Sequence, residues 1–172
     1  MESALATLIL ITVLLFSVLT LSYSYLESQD LLMVAEQEMQ ARLADQAQTA
    51  LEVVQTQIVS PGVKLEMTVR NVGSIKLNDF EKWDVIVESY HMTDTLSQRW
   101  LPYTAAPGND QWRVAGIYAA SFRPEVFNPG ILDPGEEMVI QINFLLPVEP
   151  ERLNRATIGA ANGAQTTAFF AW

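Results

Sequence analysis

The sequence predicts an α+β protein: one long N-terminal α-helix followed by an antiparallel, immunoglobulin-like β-sandwich. Three observations carry this expectation. Residues 1–60 contain neither Gly nor Pro, so the first helix breaker is Pro61-Gly62. Beyond it the hydrophobic period changes from helical to two, as in VKLEMTVRN (63–71). Turn signals then recur at short intervals, which suits a sandwich of short strands.

The first element divides by composition. Residues 4–26 form an uncharged run of 23 residues, long enough for a helix to cross a bilayer. In the following segment Leu32, Ala35, Met39, Leu43, Ala47, Ala50 and Val54 recur at spacings of three and four, an amphipathic stripe. The expected division is therefore a helix over 1–60, apolar at 4–26 and amphipathic at 27–58, and a sandwich over 61–172. Pro61 and Gly62 form the hinge between them. Thr7, Thr12, Ser17 and Thr20 are expected to bond carbonyls one turn back, which suits an apolar setting.

Strand candidates follow at 63–71, 83–91, 99–103, 112–120 and 137–146. A C-terminal hairpin centres on Asn162-Gly163, a dipeptide that accepts the positive φ angles of a type I′ turn. Turns are expected at 71–74, 107–110, 128–130 and 133–135. Trp83, Trp100 and Trp112 are expected in the core or on a sheet face.

Composition narrows the function. The formal charge is −10, of which residues 1–52 carry −6 with Arg42 as their single base. Such a chain repels phosphates, and no nucleic-acid partner is expected. There is no Cys and one His, His91, so no disulfide, thiolate chemistry or zinc site is expected. No catalytic motif, metal site or cofactor fingerprint stands out. His91 reads as structural, and the acidic stretch at 78–84 and the turn at 133–136 as solvated turns. Function is thus expected in assembly, anchoring or surface binding rather than in catalysis.

A helix that is apolar in its first half and amphipathic in its second, leading into a small all-β head, resembles the type IV filament superfamily. The segments NVGSIKLNDFEKWDVIVESYH (71–91) and FNPGILDPGEEMVIQINF (127–144) are similar to its archaeal branch, the archaellins (archaeal flagellins). Leu5 stands where bacterial type IV pilins carry Glu, which also suits the archaellin branch. No N-x-S/T sequon occurs, so N-glycosylation finds no acceptor.

The resemblance implies a structural subunit of a helical surface filament that serves swimming and polymerises with copies of itself. Leu5, Leu8, Ile11, Leu15, Val18, Leu19, Leu26, Leu32, Met39 and Leu43 would form the helix core. It also implies membrane insertion before assembly, a prepilin-type peptidase, and an assembly ATPase with its platform. No Lys or Arg precedes the apolar run. The resemblance accounts for this by removal of a basic leader, with Met1 the first mature residue and Glu2 favourable at the helix start. The alternatives are a membrane-anchored accessory or stator protein whose β-domain binds the cell envelope, and a subunit of a non-rotating adhesive pilus.

Overall fold

A computed structural model describes residues 2–91, 95–119 and 123–172, and Glu2 by its backbone only. Met1 and the Glu2 side chain, expected at the mature N-terminus, lie outside the described residues, as does Ala120 of the 112–120 strand candidate. The chain divides into two compact units, Met1–Leu43 and Ala44–Trp172.

Helix α1 runs over Glu2–Gln48, roughly 70 Å at 1.5 Å per residue. The hydroxyls of Thr7, Thr12, Ser17 and Thr20 each donate to the carbonyl four residues earlier, at 2.8–2.9 Å. The apolar half therefore presents no unsatisfied hydroxyl among these residues.

The helix ends at Gln48, short of the expected boundary at 60. Residues 51–60 form strand β1 (Leu51–Ser60). The physical reason is composition: Val53, Val54, Thr56, Ile58 and Val59 are β-branched, stiff at χ1 and better accommodated on a pleated surface than in a helix. Leu51, Val53 and Ile58 pack against the core, and a bulge between Val53 and Gln55 leaves Val54 outside it. Ala50 and Val54 thus do not extend the helical stripe.

The hinge at Pro61 and Gly62 is likewise corrected. These residues make the β1–β2 hairpin turn, closed by the Val63 N–H donating to Ser60 O at 3.3 Å. Gly62 has φ +67°, the left-handed conformation that a Pro-Gly turn places on its glycine.

The remaining strands are β2 (Lys64–Asn71), β3 (Asp84–His91), β4 (Thr95–Leu101), β5 (Gln111–Ala119), β6 (Arg123–Pro124), β7 (Glu137–Asn143), β8 (Asn154–Gly159) and β9 (Gln165–Phe170). They form two antiparallel sheets, ordered β1-β2-β7-β5-β6 and β4-β3-β8-β9. The expected strands are present, and β1 and β6 are additional. The hairpin expected at Asn162-Gly163 joins β8 to β9, with Gly163 at φ +86°.

The sheets close on one core. Register places Leu65, Met67 and Val69 of β2 beside Ile142, Ile140 and Met138 of β7, while Val85 and Val87 of β3 meet Ile158 and Ala156 of β8. All ten are buried, as are Trp83 and Trp112. Trp100 is exposed, held on the sheet surface by its indole N–H donating to Asp84 Oδ1 at 2.8 Å.

Candidate assembly surfaces

On α1, the ten residues expected in a helix core all project outward. Their exposures run from 50% for Ile11 to 70% for Leu32. At about 100° per residue, Leu5, Leu8, Ile11, Leu15, Val18, Leu19 and Leu26 occupy an arc of roughly 140°. Leu32, Met39 and Leu43 occupy a second band, offset from the first. Glu27, Asp30, Glu38 and Asp45 fall opposite that second band, with exposed Val34 among them, while Glu36 lies beside the band. Its first half is apolar and long enough to cross a membrane.

The root of α1 is locked into the second unit by backbone polar groups. The N–H of Ser74 donates to Gln48 O at 2.9 Å, and those of Val72 and Gly73 donate to Ala50 O. The first of these bonds satisfies a carbonyl that the helix end otherwise leaves open. Asn162 Nδ2 donates to Thr49 Oγ1 at 2.6 Å, and Thr49 Oγ1 donates to Asp45 O. Buried Asn71 holds the loop from below, donating to Ile75 O and Leu132 O and accepting from the Gly73 N–H. Gly73 lies so close that a Cβ there would sit 2.5 Å from Gln48 O.

The two sheets present different outer faces. That of the first is polar, with Arg70 paired to Glu137 and Glu52, and Arg113 bonded to Gln141. That of the second carries exposed Leu96, Trp100 and Phe169 around the Arg155–Glu88 ion pair. A third feature is the loop at 125–130. Phe127 is 92% exposed at its tip, the most exposed large hydrophobic residue described. Glu125 Oε1 accepts from the N–H groups of Phe127 at 2.7 Å and Asn128 at 3.0 Å. These bonds, that of Asn128 foremost, hold the Glu125 carboxyl below the usual carboxylate range. Its neighbour Glu136 is buried, and burial foremost pushes its carboxyl upward, with the charges of Glu125 and Asp133 adding to the rise.

The residues considered for chemistry have structural places. His91 is buried, its Nε2 2.8 Å from Ser97 Oγ and accepting from Arg99 at 3.2 Å. Arg99 in turn binds Asp110 at 2.6 Å. Asp79 takes φ +53° and pairs with Lys82 across a 3-10 turn at Phe80–Lys82. At 133–136 the Asp133 N–H donates to Glu136 Oε2. Among the described residues no group of three His, Asp or Glu side chains could hold a metal ion. Reasoning from sequence missed the Phe127 tip, although an aromatic directly before Asn-Pro-Gly is the signal that marks it.

No family model and no curated protein matches the sequence. Solved structures do match. The chain aligns with the archaellum periplasmic stator protein FlaG from Sulfolobus acidocaldarius at a TM-score of 0.54 and 16% identity, covering 71% of this chain and 99% of that one. It aligns equally with a chain of the FlaF and FlaG stator complex from that organism, at 0.54 and 16%, covering 70% and 87%. With the archaeal flagellum of Methanospirillum hungatei strain JF1 the TM-score is 0.55 at 14% identity, covering 96% of this chain and 90% of that one. The fold is that of archaellum components. This archaellin-like fold comprises both parts of the chain, since a match over 96% necessarily includes α1 as well as the sandwich.

Proposed function

We propose that this chain is an archaellum component, and specifically a structural subunit of a helical surface filament. The observation that carries the proposal is the outward display of apolar side chains along α1, from Leu5 to Leu43. Fully burying each such Leu, Ile or Val contributes about 1.5–3 kcal/mol. An assembly that packs α1 against its copies gains this for both bands, whereas a lipid anchor uses the first half alone. The likeness to the Methanospirillum flagellum chain, extending over helix and sandwich, supports the same reading. In this mechanism α1 waits in the cytoplasmic membrane, exchanges lipid contacts for helix–helix contacts on assembly, and leaves the sandwich as the outer shell.

A second reading is a membrane-anchored stator protein. It is favoured by the likeness to FlaG and by the span-length apolar half of α1. Electron cryo-microscopy of material sheared from the cell surface separates the two. The filament reading expects density for this chain throughout a helical polymer with α1 at its axis. Filaments built of another protein, with this chain retained in the membrane fraction, would overturn it.

A further inference from the structure

Each sheet ends in two edge strands, and three of these edges are blunted. β1 is bulged twice, between Val53 and Gln55 and between Ile58 and Ser60. β6 is two residues long and includes Pro124, which has no N–H to offer a partner. β9 runs beside β1, whose Thr56 hydroxyl donates to Phe169 O at 3.5 Å. Bulges, proline and cover are the means by which sheet edges avoid pairing with other chains.

β4 has none of them. It pairs with β3 over seven consecutive residues without a register shift, and β3 is its one strand neighbour among the described residues. Past Leu101 the chain crosses to β5, where Tyr103 bridges Trp112, so the open stretch is Thr95–Leu101. Its one charged residue, Arg99, is turned inward onto Asp110 at 2.6 Å and does not face an incoming strand. The outward row is Leu96, Gln98 and Trp100, with Leu96 54% and Trp100 58% exposed.

That row reads apolar, amide, apolar in both directions. A two-fold axis at Gln98 sets Leu96 of each copy opposite Trp100 of the other, and the two Gln98 amides opposite each other. Arg99 then stands opposite Ser97, so like charges do not meet. β4 also lacks Asp and Glu, which matters in a chain of net charge −10 whose copies repel one another.

We propose that β4 pairs antiparallel with β4 of a second copy about a two-fold axis at Gln98, joining the two four-stranded sheets into one. Seven residues a side fall short of the roughly 20–30 of a standard interface. The pair therefore forms between chains already concentrated in one membrane, which α1 is long and apolar enough to cross. A two-fold contact closes on itself and propagates no filament. The pairing thus stands apart from the filament reading.

The chain has no Cys, which permits a clean cross-linking test. Full-length Gln98→Cys is treated in its membranes with a short bis-maleimide. With directly opposite Cα atoms about 5 Å apart, its cross-linked homodimer should exceed by about tenfold that of Gln165→Cys, an exposed position on β9 at the far edge of the same sheet. Register has its own readout. Leu96→Cys should cross-link to a co-expressed Trp100→Cys chain of different tag length, and not to itself, since the two Leu96 positions lie about 13 Å apart. A Gln98→Cys homodimer no more abundant than that of Gln165→Cys overturns the pairing, including the outcome in which a strand of another protein takes the edge. Leu96→Cys cross-linking to itself as readily as to Trp100→Cys overturns the two-fold register and the proposal with it.

Discussion

Gly73 shows how one missing methyl fixes where a helix begins its exit from a domain. A Cβ there would meet Gln48 O at 2.5 Å and the Ala50 N at 2.6 Å, both backbone atoms with nowhere to yield. Gly73→Ala is expected to destabilise the second unit by about 1–3 kcal/mol, as overpacking does; a urea melt followed by circular dichroism measures it, and an unchanged midpoint would contradict the tight root. Glu125 and Glu136 make the second prediction at this scale. Glu136 is held above its usual value in the folded state, so its protonation favours folding: stability rises as pH falls through its folded midpoint. Glu125 is held below its usual value, so its contribution is present above the unfolded value and is lost as pH falls through the lower folded one. Glu136→Gln keeps an acceptor for the Asp133 N–H and removes the charge beside Glu125. It should melt higher than the parent at pH 7, and the gap should shrink as pH falls and the parent's Glu136 takes up its proton. A gap independent of pH would show that Glu136 carries no such linkage.

At the scale of elements, β1 decides where the sandwich starts. Its Leu51, Val53 and Ile58 pack on the core, and its whole length pairs with β2. A chain beginning at Ala44 should therefore give a soluble domain with a β-type circular dichroism spectrum and one cooperative thermal transition. A chain beginning at Pro61 loses the edge strand and three apolar anchors. Each anchor is worth about 1.5–3 kcal/mol if fully buried, and these are only partly so. Its transition should fall by more than 10 °C, given about 4–8 °C per kcal/mol for a domain near 100 residues. Equal melting of the two would restore the boundary at 60. The helix, by contrast, carries its information on its surface. The apolar band at 5–26 and the Leu32–Met39–Leu43 band point in different directions, as they would for a helix meeting different neighbours along its length.

For the molecule as a whole, the test lies in separating assembly from folding. Leu15→Asp puts a carboxylate at the middle of the apolar half of α1, a change costing about 2.5–3.5 kcal/mol at the centre of a membrane helix. Filaments should disappear while the second unit, Ala44–Trp172, keeps its β-type spectrum and its melting temperature. Filaments of normal number and length, counted by negative-stain microscopy, would remove α1 from the core of the assembly.

The sequence by itself determined the long helix, the antiparallel β-rich remainder and the strands with strict alternation. Hydrophobic period and Gly/Pro punctuation are local properties, and each segment carries its own copy of them. Tertiary structure decided the rest. Leu51 to Ser60 contains apolar spacing compatible with a helix and β-branched residues that favour a strand, and pairing with β2 settles the matter by supplying partners for its backbone. Pro61-Gly62 breaks a helix and turns a hairpin equally well, so only that pairing makes it a turn. Trp83 and Trp100 both lie near β3 and β4, yet one is in the core and the other on a face. A groove along β5 joins Phe80 to Pro129, residues far apart in sequence that no local pattern could bring together.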